Sequence, residues 1–243
     1  MVDSKNMDFQ TLLKFENQNL QASWHIFQDE SLLIERLLFL YQNVTSNLDT
    51  YPREQIPVLS MFWSCFNDFS ISTRLILETH VPEAYSIVSR STEGVGYARK
   101  MSLNPELIPI WINKNELTNN EFRDKFGKPF PANDSLLHPE IFSIYNLTSN
   151  YGRHQNMEST VFFSDFEELN NNKVNFNYSY IDDQINLQRC INYIIYSYIK
   201  ILSVFKEIFV NYLSKEWLDE FNKFEGQFDR HKEKLKLIFT DDQ

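Results

Sequence analysis

The sequence predicts an all-α protein, mainly a helical bundle with a small β-hairpin insertion near residues 159–180. Three observations support this fold class. Apolar residues recur every three or four positions along most of the 243-residue chain, only 5 glycines and 8 prolines interrupt the pattern, and 42% of the residues are hydrophobic. The 21 Phe and 12 Tyr supply enough apolar surface for a sizeable core. We expect a single helical domain over residues 1–243.

The first three helices follow from periodicity and from proline positions. Helical spacing begins at Phe9, and one or two amphipathic helices are expected before about Asn47. The next two helices are predicted to begin at Pro57 and Pro82, because proline suits the first helical turn. The second of these ends near Ser102, since an Asn-Pro pair follows and the residue before a proline avoids the α region.

Five more helical segments are predicted in the rest of the chain. Short ones are expected at about 106–113 and 121–126, and a longer one is expected from Pro139 to a C′ glycine, Gly152. A heptad-like pattern predicts that the longest helix, from Asp183 to Tyr212, lies at the centre of the core. A charged helix over 217–239 is expected to pack along four aromatic residues: Trp217, Phe221, Phe224 and Phe228.

The hairpin is predicted from a strict alternation of apolar and polar residues over Val174–Tyr180. We expect this strand to pair with Thr160–Phe163, with 165–173 at the tip of the hairpin.

Composition and charge exclude several classes of protein. The net charge of −10, from 33 acidic and 23 basic residues, disfavours nonspecific nucleic-acid coating.

Cys65 and Cys190 are expected to be buried free thiols, and the first 20 residues do not resemble a secretory signal, so a cytoplasmic location is predicted. The apolar run over 190–205 is too short to cross a bilayer, so no membrane association is expected. Common nucleotide, hydrolase and zinc-protease motifs are missing from the sequence.

A polar stripe on the predicted 82–102 helix is the candidate site. At 100° per residue, five residues fall on one face: Ser86, Arg90, Glu93, Tyr97 and Lys100. The alternative interpretation is a solvated face with an Arg90–Glu93 pair. Gly94 and Gly96 lie in the same helix and suggest close approach of another helix or of a ligand.

Several short motifs around this stripe resemble a group of uncharacterised helical proteins in bacteria. These are the Arg90-Ser-Thr-Glu93 helix, the Asn104-Pro-Glu-Leu107 turn followed by Trp111, and the element Tyr151-Gly-Arg-His154. The segment also resembles, more distantly, the HEPN-type helical bundles of toxin–antitoxin and phage-defence systems. That resemblance covers about residues 86–160. It implies a cytoplasmic, often dimeric bundle that needs no cofactor.

Nuclease members of the HEPN group carry an R-x4-6-H motif that cleaves RNA without a metal. Arg74 and His80 match this motif as R-x5-H, but such a match arises easily by chance. The favoured role of His80 is that of a helix-terminal histidine hydrogen-bonded to backbone carbonyls. His154 is the better candidate for chemistry, because it follows a helix end and titrates near neutrality; the alternative is a surface loop histidine.

Three functions remain open from the sequence. The first is a binding or interaction module with its polar site on the 82–102 helix, in which Tyr97, Arg153 and Trp111 contact the ligand. The hairpin and the 115–134 loop would then face a protein partner or a second copy. The second is a metal-independent ribonuclease in which Arg90 binds an anion and Glu93 orients His154; RNA is a partner only in this case. The third is a small-molecule pocket beside Gly94 and Gly96. None of them calls for a metal or cofactor.

Overall fold

The computed structural model describes residues 9–48, 50–51, 53–127, 139–152, 165–169, 173–177 and 184–240. Within these ranges the fold is all-α and contains nine α-helices. They are α1 (Phe9–Ile26), α2 (Gln28–Asn43), α3 (Ile56–Leu77), α4 (Val81–Leu103), α5 (Leu107–Ile112), α6 (Asn119–Phe126), α7 (Pro139–Gly152), α8 (Gln184–Phe209) and α9 (Lys215–Thr240). No helix in this part of the chain is long and apolar enough to cross a membrane.

The predicted helix boundaries agree with these ranges to within a few residues. Pro57 and Pro82 lie in the first turns of α3 and α4, as expected from their fixed φ. A capping box in which Thr118 and Glu121 bond each other's backbone begins α6. The central helix α8 ends at Phe209, three residues before the predicted Tyr212.

The core surrounds α8, as its heptad-like pattern predicts. Its buried face carries residues that are at most 2% exposed: Ile191, Ile194, Tyr198, Ile201, Leu202 and Phe205. Tyr198 and Phe205 extend an aromatic cluster in which Tyr41 of α2 and Phe62 of α3 stack with ring centroids 5.1 Å apart. The predicted aromatic face of α9 is also confirmed, since all four residues from Trp217 to Phe228 are buried.

Close helix approach occurs at Gly152 and not at Gly94. A Cβ atom built on Gly152 would lie 2.7 Å from the Tyr85 carbonyl carbon and 2.8 Å from the Ser86 Cα, both in the α4 backbone. The same atom on Gly94 meets nothing within 4 Å. The expectation of another helix close to Gly94 is therefore wrong, and the alternative of a ligand beside Gly94 and Gly96 stays a prediction. Gly152 closes α7 against α4 as the last residue of its helix, where the sequence predicted a C′ residue.

Two short strands, β1 (Asp165–Leu169) and β2 (Lys173–Asn177), pair antiparallel with Phe166 opposite Phe176. The residues of β1 were predicted to form the tip of the hairpin, which is wrong. Their Asp-Phe-Glu-Glu-Leu sequence contains three acidic residues, which are depleted in strands, so propensity argued against a strand there. The predicted partner strand at 160–163 lies outside the described residues.

Candidate functional site

The predicted stripe on α4 divides between two polar sites. Arg90 reaches Asp68 on the neighbouring helix α3: its Nε donates to Asp68 Oδ2 at 3.2 Å, and its Nη2 donates to Oδ1. The Asp68 side chain is only 5% exposed, whereas that of Arg90 is 56% exposed. The partly exposed guanidinium therefore neutralises the buried carboxylate. It does so through two parallel N–H···O bonds, a geometry that arginine can form with a carboxylate.

Ser91, the second residue of the R-S-x-x-E pattern, completes this buried cluster. Its hydroxyl donates to Asp68 Oδ2 at 2.8 Å and lies 3.1 Å from the Tyr198 hydroxyl of α8. Burial raises the pKa of Tyr198 well above its ordinary range, so the phenol stays protonated. Since Ser91, Asp68 and Tyr198 are all closed to solvent, the Arg90 cluster joins three helices but offers a ligand little access.

Glu93 and Tyr97 lie instead in an open cleft. The cleft has a volume of about 500 Å³, within the range of small-molecule sites, and is bounded by α4, α6 and α7. Burial raises the pKa of Tyr97 to about 12, the Glu93 carboxylate acts in the same direction, and the two side chains are hydrogen-bonded. The lining residues are Glu93, Tyr97, Lys114, Asn119, Asn120, Phe122, Arg123, Gly127, Phe142 and Tyr145.

Trp111 lies behind the wall of this cleft and is not among its lining residues. Its ring packs 4.9 Å from that of Tyr97 and 5.6 Å from that of Phe126, measured between centroids. The Lys114 ammonium lies 5.0 Å from the centre of the Trp111 ring and 4.7 Å from that of Phe122. Trp111 therefore supports the wall, and its predicted contact with a ligand would be indirect.

Two of the predicted site residues, Arg153 and His154, lie outside the described residues. The convergence of Arg90, Glu93 and His154 consequently stays a prediction.

In the R-x5-H match, Arg74 and His80 each contact a carboxylate. Arg74 Nε donates to Glu78 Oε1 at 2.8 Å, and His80 Nε2 lies 3.4 Å from Glu16 Oε1 of α1. A carboxylate, rather than the expected backbone carbonyls, thus faces the His80 ring. Acidic groups beside both members of the motif oppose the approach of an RNA phosphate.

A second buried polar cluster was not predicted from the sequence. The Glu30 side chain, 2% exposed, accepts hydrogen bonds from Gln188 Nε2 at 2.8 Å and Asn192 Nδ2 at 3.0 Å, and lies 3.1 Å from His231 Nε2. Burial alone would raise the pKa of Glu30, but the hydrogen bonds with these three partners and with its own backbone N–H outweigh burial and hold the pKa below its ordinary value of 4.5. The cluster joins α2, α8 and α9, and its carboxylate and the His231 ring are buried.

The sequence carried a signal for both acids of these clusters. Asp68 and Glu30 are single carboxylates on otherwise buried helix faces, and a charge in such a position requires a partner. Their partners come from other helices, so spacing within one helix could not identify them.

In the part of the chain that the structure describes, no three His, Cys, Asp or Glu residues are grouped to hold a metal ion. Both cysteines are buried and unpaired, as predicted, and burial raises the pKa of Cys65 and of Cys190. Comparison of the chain with family models, curated proteins and solved structures finds no match.

Proposed function

We propose that this protein is a binding module and that the cleft between α4, α6 and α7 is its ligand site. The observation that carries the proposal is the cleft itself, a concave volume of about 500 Å³ with charged, amide, phenol and aromatic side chains around it. Ligand sites combine a concave shape with a few polar groups that fix orientation, and both features are present. Glu93 and Tyr97, two residues of the predicted polar site, contribute its α4 wall.

The ribonuclease alternative has less support. Arg90, its proposed anion-binding group, is bound to Asp68, and the second candidate pair, Arg74 and His80, faces carboxylates. A binding function requires neither pair.

The test is to fill the cleft and leave the rest of the molecule unchanged. Asn120 is an exposed lining residue of α6, so Asn120→Trp places a large ring at the cleft. Asn67→Trp makes the same change on the exposed face of α3, away from the cleft, and is the matched control.

Amide NMR spectra of the parent protein and both variants are recorded with a library of small polar compounds. We expect compounds that shift resonances of lining residues in the parent and in Asn67→Trp, and that lose this effect in Asn120→Trp. If no compound shifts these resonances, or if the same compounds bind Asn120→Trp equally well, the proposed function is wrong.

A further inference from the structure

The exposed face of α3 carries no charge over about five helical turns. Between residues 56 and 73 the chain contains one charged residue, Asp68, and its side chain is buried. In a chain with 23% charged residues, a stretch of this length holds about four on average, and on a helix they lie mainly on the exposed side. The exposed side chains fall within about 120° of arc. They are Ile56, Ser60, Trp63, Ser64, Asn67, Ser70 and Ile71.

Three large apolar side chains project from this face. Ile56 is 46% exposed, Trp63 is 37% exposed and Ile71 is 46% exposed. They are separated by seven and eight residues, so they lie along one line on the helix. Depletion of charged residues is typical of interface centres, and tryptophan is enriched among the residues that contribute most to binding. The face therefore has the composition of an interface centre.

The serine side chains of the face can be buried at little cost. Ser60 Oγ donates to the Ile56 carbonyl oxygen at 2.9 Å, and Ser70 Oγ donates to the Phe66 carbonyl oxygen at 3.3 Å. Because these hydroxyl donors are satisfied within α3 itself, a partner that displaces water from them leaves no donor unpaired. Serine is also small, so the helix of a partner can approach closely.

Charged groups lie at the edges of this face, and they are paired. Arg74, near the end of α3, forms an ion pair with Glu78. Arg90 of α4 lies at one side of the face, where it binds the buried Asp68. An uncharged centre with a polar rim is the usual anatomy of a protein interface.

The charge of the chain indicates which partner fits this face. A basic protein or a nucleic acid is recognised through charge, and the face offers none. Two copies of this chain each carry a net charge of −10, so they repel each other wherever acidic surfaces meet. An uncharged face allows two copies to join without burying like charges. A two-fold axis then places the same neutral surface on both sides of the contact.

We propose that α3 forms the interface of a homodimer, in which the exposed α3 faces of two copies pack on each other around a two-fold axis. The proposal is independent of the ligand cleft, because none of the described lining residues of the cleft belongs to α3, and Asn67→Trp remains a control for the cleft. One helix face is smaller than a standard interface of about 800 Å² per partner, so we expect association in the micromolar range.

Sedimentation equilibrium of the full chain, from low micromolar to several hundred micromolar, measures this association. We expect the mass to rise from 29.0 kDa toward twice that value. Trp63→Glu and Ile71→Glu each place an acidic group on the face of both copies. Each change should weaken the association at least about thirtyfold, the effect of losing a side chain that dominates an interface.

The matched controls are Leu32→Glu on α2 and Leu103→Glu at the end of α4. They add the same charge at exposed apolar positions outside the face and should keep the dimer. Far-UV circular dichroism verifies that each variant is folded. The proposal is overturned if the chain stays monomeric at every concentration, in which case a different protein must cover the face. It is also overturned if folded Ile71→Glu dimerises as well as the controls.

Salt dependence separates an uncharged interface from one that is held by ion pairs. Added salt screens the repulsion between two acidic copies, and an uncharged interface has no ion pair to weaken. We therefore expect tighter association when the salt concentration rises from about 0.05 M to about 0.5 M. Weaker association at the higher concentration would mean that ion pairs hold the dimer, and the α3 face would not be its interface.

The fluorescence of Trp63 reports directly on the face. Of the four tryptophans, Trp63 is the one that is exposed, since Trp24 and Trp111 are half-buried and Trp217 is buried. Acrylamide quenching should therefore decrease as the protein concentration rises and Trp63 becomes covered. In Trp63→Phe, which keeps an apolar ring on the face, quenching should not change with concentration. If the parent dimerises while its quenching stays constant, the interface lies elsewhere and the proposal is wrong.

Discussion

At the scale of single residues, Arg90 and Asp68 have different roles although they form one ion pair. Asp68 is buried and depends on its partners for solvation, whereas Arg90 is 56% exposed and would be hydrated without Asp68. Removing Arg90 therefore leaves a buried charge, and removing Asp68 leaves an exposed one. We therefore expect the loss of Arg90 to lower the free energy of unfolding much more when Asp68 is present than when it is replaced by a neutral residue.

This asymmetry gives a double-mutant prediction. We expect Arg90→Ala to lower the free energy of unfolding by about 2–3 kcal/mol, the range for a lost charge-assisted hydrogen-bonded pair. In an Asp68→Asn background the same change should cost less than about 1 kcal/mol, because the neutral amide needs no cation. Urea unfolding of the four proteins measures both values. Arg53→Ala, an exposed arginine, is the control, and equal losses in the two backgrounds would contradict the argument.

At the scale of helices, periodicity predicted most of what the structure contains. The positions of α2, α3, α4, α8 and α9 follow from apolar residues at steps of three and four, because a single face of each helix is buried. Lys114 and Arg123 were not predicted as site residues. Both residues lie in the short segments that follow α4, between residues 107 and 126. They reach the cleft because α6 packs against α5 and because Phe122 of α6 contacts the ring of Tyr97. Such contacts between elements leave no periodic signal.

The glycines illustrate the same limit. Gly94 indicated a close contact because a glycine inside a helix lowers its stability. In the structure, however, a Cβ atom at this position would meet no other atom within 4 Å. Gly152 was assigned to a helix end, where glycine is common, while its real constraint is the α4 backbone across the interface.

These two glycines predict opposite effects for one substitution. Gly152→Ala forces α7 away from α4 and should destabilise the protein by about 1–3 kcal/mol, as overpacking does. Gly94→Ala fills open space in mid-helix and should stabilise it by up to about 1 kcal/mol through helix propensity. Urea midpoints of both variants against the parent provide the measurement. A Gly152→Ala protein as stable as the parent would show that α7 does not pack tightly against α4.

At the scale of the whole molecule, Glu30 and Asp68 each connect several helices of the bundle through hydrogen bonds. Asp68 joins α3, α4 and α8 through Arg90, Ser91 and Tyr198, and Glu30 joins α2, α8 and α9. The long helix α8 takes part in both clusters. Every side-chain partner of Glu30 is more than 150 residues away from it in the sequence. The cluster therefore forms only when α2 packs against α8 and α9.

This cluster predicts how the stability of the whole protein responds to acid. The pKa of Glu30 in the folded state is lower than its ordinary value of 4.5, so the ionised carboxylate stabilises the fold at every pH above that value. The contribution decreases as the pH falls from about 4.5 through the folded pKa, because the folded state must then take up a proton that the unfolded state already holds. Glu30→Gln keeps the size of the side chain but cannot ionise.

We therefore expect the difference in unfolding free energy between the parent and Glu30→Gln to shrink as the pH falls below about 4.5. Urea unfolding at a series of pH values measures it, with Glu35→Gln on the exposed face of α2 as the control. A difference that stays the same into acid would mean that ionised Glu30 does not stabilise the bundle, and the low pKa assigned to it would be wrong.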